Sequence, residues 1–157
     1  MIATMLPEQG FIYCKGYIHA IDHDGEATSE ELLALLAYLN SFTCDWWLRR
    51  IVDRHMNSPM TNNLPIPDWD DSQISRAADL AAELTRRGGI YSSVDEDEIR
   101  AKIESLVTKG FELKRDELDT VLRDFTKKAC SDDLRDRIRE LAEAGTSDVP
   151  AAEQNDD

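Results

Sequence analysis

Long apolar runs, paired cysteines and lysine are all scarce in this sequence. No hydrophobic stretch approaches the roughly 20 residues that a helix needs to cross a bilayer. The opening residues, MIATMLPEQG, lack the basic and apolar parts of a signal peptide, so we expect a cytoplasmic protein. The cysteines are odd in number and far apart, at Cys14, Cys44 and Cys130. This spacing argues against a disulfide framework and a zinc site, and it predicts reduced, mostly buried thiols.

Positive charge is also scarce. The chain has 32 acidic and 18 basic side chains, for a net charge of −14, and only 6 of the basic residues are lysine. This is the wrong sign for general nucleic-acid binding, which depends on Lys and Arg neutralising phosphates. A Lys-poor acidic surface suits molar salt, where the Debye length falls to roughly 3 Å and self-repulsion is screened. Salt adaptation and ordinary solubility are therefore both open explanations.

The periodicity of the apolar residues predicts a mainly α protein, α+β in class because of a small N-terminal β element. Aromatic and β-branched residues over 11–21 predict the strand, and 3.6-residue periods predict a helical, bundle-like C-terminal half. We divide the chain into a first part (1–92), a helical C-terminal extension (93–144) and a disordered acidic tail (145–157). The side chains predicted to begin helices are Thr28 (a capping box with Glu31), Thr43, Ser72, Ser93 (with Glu96) and Ser131.

The one basic cluster of this acidic chain comes after a Trp-Trp pair and before an Asn-rich segment. Arginine suits bidentate contact with guanine or phosphate, and asparagine can pair bidentately with adenine. A solvated helix face would give the same composition, so both readings stay open. Trp46 and Trp47 have two readings as well, core packing or stacking on a base. The residues that would make such DNA contacts are Arg49, Arg50, Arg54, His55, Asn57, Asn62 and Asn63.

Catalytic and metal-binding patterns are not evident. The three histidines lack metal-ligand spacing, and no Ser or Cys lies in a nucleophile elbow. The sequence contains the PD…ExK pattern of metal-dependent nucleases, at Pro67-Asp68 and Glu112-Leu113-Lys114. That chemistry needs carboxylates held on adjacent strands, whereas these residues are predicted in loops or at helix starts. We therefore predict no catalytic residue and no metal site.

The order of motifs resembles the C-terminal target-recognition region of adenine-specific DNA methyltransferases of restriction–modification and phage-exclusion systems. These include single-chain type IIG enzymes and their BREX relatives. That region has a leucine-rich helix ending in LNS, a short aromatic helix, a polar loop and an LPIP exit. The matching ranges here are Leu32–Ser41, Asp45–Arg50 and Leu64–Pro67.

A second match follows at Ile99–Phe125, which is similar to the family's trailing helical segment. Phe111 stands there where Tyr is usual and Glu112 where Gly is usual, while Leu113, Glu117, Leu118, Leu122 and Phe125 agree. Neither the S-adenosylmethionine motif nor the Asn-Pro-Pro-Tyr/Phe motif of the family's catalytic half occurs in this chain.

The resemblance implies a non-catalytic specificity fragment or subunit of an adenine methyltransferase, in which residues 1–92 would be the end of the DNA target-recognition domain. Its partners would be double-stranded DNA and a methyltransferase catalytic domain, and S-adenosylmethionine would be a cofactor of the parent enzyme alone. The helix Asp45–Arg54 and the loop His55–Asn63 would approach the DNA. The alternative, supported by the net charge, is an acidic helical interaction subunit, such as a DNA mimic or an antitoxin-like partner. A metal-dependent nuclease is the third and weakest reading.

Overall fold

The chain is mainly helical. The structure, a computed structural model, describes residues 27–52, 59–60, 63–87 and 96–144. The predicted strand (11–21), the predicted cap Ser93 and the acidic tail (145–157) lie outside these residues. No described helix combines the length and apolar character needed to cross a membrane. Six α-helices lie entirely within the described residues: α1 (Ser29–Leu39), α2 (Phe42–Ile51), α3 (Asp71–Arg87), α4 (Asp97–Gly110), α5 (Arg115–Arg123) and α6 (Asp132–Ala144).

Side-chain caps begin several of these helices. The predicted capping box at α1 is confirmed, because the Thr28 hydroxyl accepts from the Glu31 N–H at 3.1 Å and the Thr28 N–H donates to Glu31 Oε2 at 2.7 Å. The predicted cap of α6 is also confirmed, since Ser131 Oγ accepts from the Leu134 N–H at 3.1 Å.

Two predicted helix starts are wrong. Ser41, not Thr43, caps α2 by accepting from the Cys44 N–H at 3.1 Å. The helix α3 begins at Asp71 and not at Ser72. Before it, Asp70 and Gln73 exchange bonds, with the Asp70 N–H donating to Gln73 Oε1 at 3.0 Å and the Gln73 N–H to Asp70 Oδ1 at 2.8 Å.

Two apolar clusters hold the helices together. The first joins α1, α2, α3 and α4, and the second joins α4, α5 and α6. The helix α4 contributes to both, through Ile99, Ile103 and Val107 in the first and Ala101 in the second. The division between residues 92 and 93 stays a prediction. The helix α4 packs against helices that precede this boundary and against helices that follow it.

The segment from Leu64 to Asp70 packs against the C-terminal end of α4. The Asp68 N–H donates to the Gly110 carbonyl at 2.9 Å, and the Trp69 indole N–H donates to the Leu106 carbonyl at 2.9 Å. Pro67 is buried and Leu64 packs against the first cluster. The predicted Leu-Pro-Ile-Pro exit therefore begins a segment, Leu64–Asp70, that is hydrogen-bonded to α4 through Asp68 and Trp69 and is called the strap below.

Candidate nucleic-acid interface

The last turn of α2 carries two exposed arginines that sequence reasoning assigned to DNA contact. The side chain of Arg49 is 53% exposed and its guanidinium donates to Asp45 Oδ2 at 2.8 and 3.2 Å, one helical turn earlier. Its Cζ also lies 4.7 Å from the centroid of the Phe125 ring. Arg49 thus combines an i, i+4 ion pair with a cation–π contact.

Arg50 reaches across to the end of α5. Its guanidinium donates to Asp124 Oδ2 at 2.5 Å and to the Trp46 carbonyl at 2.9 Å, while its side chain stays 43% exposed. The Cζ of Arg50 lies 3.4 Å from the Trp46 ring centroid. The hydrogen bond from Arg50 is the main cause that holds the pKa of Asp124 below its usual range. Both arginines therefore tie α2 to the residues that end α5.

Trp46 and Trp47 are half-buried and point into different clusters. Trp47 packs against the first apolar cluster and Trp46 against the second. One face of the Trp46 ring is covered by the Arg50 guanidinium, so this face is not free to stack on a base. The contacts favour the core-packing reading of the pair.

The other predicted contact residues are placed only in part. Asn63 is exposed and its Nδ2 donates to the Pro59 carbonyl at 2.7 Å, so the amide closes a local turn. Arg54, His55, Asn57 and Asn62 lie outside the described residues. The structure thus brings together Arg49 and Arg50, and the DNA-contact role of the whole set stays a prediction.

Both flanks of this Asn-bearing segment are fixed to the scaffold. On one side the Val52 N–H donates to the Leu48 carbonyl at 2.9 Å and Val52 packs against the first cluster. On the other side Leu64 packs against the same cluster, and Asp68 is bonded to α4. The residues that flank 53–63, Val52 and Leu64, are therefore both anchored to the scaffold.

Sequence reasoning missed the partners of these two arginines, which follow the end of α5. Asp124 and Phe125 are 74 and 76 residues away from Arg50 and Arg49, and no local pattern signals such a contact. It also missed Glu104, which is fully buried in α4 and accepts hydrogen bonds from the first turn of α2. An acidic residue within an apolar period is the one signal that could have marked it.

An apolar cavity of about 370 Å³ lies beside α2. Aromatic rings from three parts of the chain line it, together with Pro65 and Leu113 and the hydroxyl-bearing side chains of Thr43 and Thr120. The rings belong to Tyr38, Trp46, Trp47 and Phe111. The single carboxylate in its lining is that of Glu117, at the start of α5.

The described residues offer little for catalysis. They hold no group of three His, Cys, Asp or Glu side chains that could bind a metal ion. Cys44 and Cys130 are free and buried as predicted, whereas Cys14 lies outside the described residues. Burial raises the pKa of the Cys44 thiol to about 12, which disfavours the nucleophilic thiolate.

No protein-family model, curated protein or solved structure matches this chain.

Proposed function

We propose that this chain is the DNA-specificity part of an adenine-specific DNA methyltransferase or restriction–modification assembly, and that it does not transfer methyl groups by itself. Its DNA-facing edge is the last turn of α2 and the residues up to Asn63. The supporting observation is that Arg49 and Arg50 stay exposed at this helix end, immediately before an Asn-bearing segment with anchored flanks. Loops held by a rigid scaffold are common sites of recognition.

The ion pairs of the two arginines are compatible with this role. Exposed pairs such as Arg49–Asp45 and Arg50–Asp124 contribute little to stability, because water and salt screen them. A DNA phosphate can therefore replace the carboxylate partner at small cost. The planar guanidinium then retains its bidentate geometry toward phosphate or guanine.

The charge of the chain limits the surface that can contact DNA. A net charge of −14 opposes approach to DNA over most of the surface, so contact has to be confined to a local basic edge. Phosphate contacts by Arg49, Arg50 and Arg54 would set the register, and asparagines of the following segment would read bases. A methyltransferase catalytic partner with S-adenosylmethionine would supply the remaining positive surface and the chemistry.

The test measures duplex binding by the full chain together with an adenine-methyltransferase catalytic core, at several salt concentrations. Changing Arg50→Ala and Arg54→Ala together should weaken binding and lower the slope of log K against log salt by about two, one for each lost phosphate contact. Fluorescence anisotropy of a labelled duplex gives both quantities.

The matched control is Arg76→Ala with Arg100→Ala, two exposed arginines on α3 and α4. This control changes the net charge by the same amount. Because neither residue belongs to the proposed interface, the salt slope should stay at the wild-type value. Equal affinity and slope for the Arg50/Arg54 variant and the wild type would remove the proposed interface.

The second candidate function is that of an acidic interaction subunit, which binds the catalytic protein and does not contact DNA. It is favoured by the carboxylate partners that Arg49 and Arg50 already have and by the overall charge. A gel shift separates the two functions. Binding of the chain to the catalytic core with no gain in DNA affinity would support this second function.

A further inference from the structure

Glu104 is a buried carboxylate that caps a helix from a distance. Its side chain is 0% exposed, and it is the one fully buried charged residue in the described part of the chain. Oε2 accepts from the Phe42 N–H at 2.7 Å, and Oε1 accepts from the Thr43 N–H at 3.1 Å. Oε1 also lies 2.5 Å from Thr43 Oγ1. The first N–H groups of a helix have no partner within it, and here α4 supplies one from more than 60 residues away.

The charge of Glu104 has no cationic partner among the described residues. Its carboxylate acts electrostatically on three titratable groups, which are Tyr38 from α1, Cys44 from α2 and Cys130 from the α5–α6 connection. Burial is the main cause that raises the pKa of all three, so each is neutral near pH 7. The Arg135 guanidinium lowers the pKa of Cys130 but is not among the causes that shift the pKa of Glu104. Of Glu104 and these three groups, Glu104 is therefore the one that can change charge near neutral pH.

Its surroundings accept both protonation states. As a carboxylate, Glu104 receives hydrogen bonds from two backbone N–H groups and from the Thr43 hydroxyl. As a carboxylic acid, it can donate through Oε1 to Thr43 Oγ1, because a hydroxyl both donates and accepts. Oε2 keeps its bond from Phe42 in either state. Burial raises the pKa of Glu104 to about 7, and the bonds from Thr43 and Phe42 oppose that rise.

We propose that Glu104 is a positioning residue that fixes the first turn of α2 against α4, and that its proton controls how firmly α2 is held near neutral pH. The helix α2 carries Trp46, Trp47 and the two exposed arginines, so a change at its first turn is transmitted to its far end. This inference goes beyond the proposed function and holds whether or not the chain binds DNA.

The direction of the pH effect follows from the folded and unfolded states. The pKa of Glu104 is about 7 when folded and near the ordinary 4.5 when unfolded. Because the folded value is higher, the contribution of this group to stability is complete below pH 4.5 and is lost as the pH rises through about 7. The ionised form is therefore the less stable one, since its charge stays buried without a cation.

The experiment follows the side-chain carboxyl carbon of Glu104 and the tryptophan indole N–H groups by NMR, from about pH 5 to about pH 9, on the full chain. Glu104 should titrate near pH 7, and the indoles of Trp46 and Trp47 should shift with the same midpoint. The indole of Trp69, bonded to the Leu106 carbonyl, should not follow. A Glu104 midpoint at the ordinary value, or α2 indoles that ignore it, would overturn the inference.

Two variants separate positioning from bulk stability. Thr43→Val keeps the side-chain shape but removes the hydroxyl that favours the carboxylate, so the Glu104 midpoint should rise by about one unit. Glu104→Gln keeps an acceptor for Phe42 and abolishes the titration, so Trp46 and Trp47 should lose their shift near pH 7. The matched control Glu30→Gln, at the exposed start of α1, should keep the wild-type midpoint. If Glu104→Gln does not fold, an unchanged midpoint in Thr43→Val still contradicts the inference.

Discussion

At the scale of single residues, Glu112 occupies a backbone conformation that favours glycine. Its φ of 52° lies in the left-handed region. It follows the end of α4, where the Leu113 N–H donates to the Thr108 carbonyl and the Glu112 N–H to the Lys109 carbonyl, both at 2.9 Å. These two bonds form a Schellman motif, which usually has glycine at this position. The turn therefore keeps the geometry of this motif with a residue that is less suitable than glycine.

We expect Glu112→Gly to stabilise the chain by about 1 kcal/mol, because glycine adopts positive φ without the steric cost of a Cβ atom. Urea unfolding at constant pH measures the change. Glu112→Ala removes the same charged side chain but keeps the Cβ atom, so it should bring no such gain. Equal stabilities of the Gly and Ala variants would show that the conformation is not strained.

At the scale of elements, the strap from Leu64 to Asp70 depends on a close approach to α4. A Cβ atom on Gly110 would lie 2.6 Å from Pro67 Cβ, 2.6 Å from Trp69 Nε1 and 2.7 Å from Trp69 Cδ1. Real Cβ atoms do not come this close to other heavy atoms, and Pro67 is a rigid ring. Glycine at the end of α4 is therefore required by packing, in addition to any role in the turn.

Gly110→Ala should destabilise the chain by about 1–3 kcal/mol, the usual cost of forcing extra volume into a packed site. Detachment of the strap should also expose Trp69 and shift its fluorescence to longer wavelength. Lys109→Ala, one residue earlier in α4, is the control and should leave both the stability and the emission almost unchanged. A Gly110 variant with native stability would contradict the packing seen at this position.

Local signals predicted most of the helices, because caps and 3.6-residue periods act over a few residues. Thr28 and Ser131 are caps of this kind, and both predictions are confirmed. The start of α2 was predicted two residues late, since Ser41 and Thr43 are equally good caps by sequence. Glu104 distinguishes them, because its carboxylate accepts hydrogen bonds from the Thr43 N–H and hydroxyl, and Ser41 is left to cap the helix. That choice depends on a residue some 60 positions away and is not readable locally.

The candidate site was predictable to a smaller extent. The exposure of Arg49 and Arg50 follows from their place on the polar side of an amphipathic helix. Their engagement with Asp124 and Phe125 depends on how α5 packs against α2, which no pattern in either helix specifies. The same is true of Trp46 and Trp47, whose assignment to two different clusters depends on tertiary packing.

At the scale of the whole molecule, charge opposes compactness. With a net charge of −14, self-repulsion favours expanded states, and salt weakens it by shortening the Debye length. Salt also weakens the surface ion pairs, but exposed pairs contribute little individually. The relief of repulsion should therefore exceed the loss of pairing.

We expect the melting temperature to rise by about 3 °C or more between roughly 0.1 M and 2 M KCl, equivalent to a gain of about 1 kcal/mol for a chain of this size. Differential scanning calorimetry measures it. Neutralising the exposed Glu30 and Asp79 as Gln and Asn should reduce this dependence. A melting temperature that stays flat or falls with KCl would contradict salt adaptation and leave ordinary solubility as the explanation of the acidic surface.

The anchoring of both flanks of residues 53–63 has a consequence for how such a chain can diversify. Val52 and Leu64 are held by the first cluster, and the strap is held by α4. Loop-closure entropy grows only slowly with length, so closing a longer or a shorter segment between the same two anchors changes the free energy of folding by little. As far as closure entropy decides, the two anchors therefore tolerate differences in the length of the sequence that joins them.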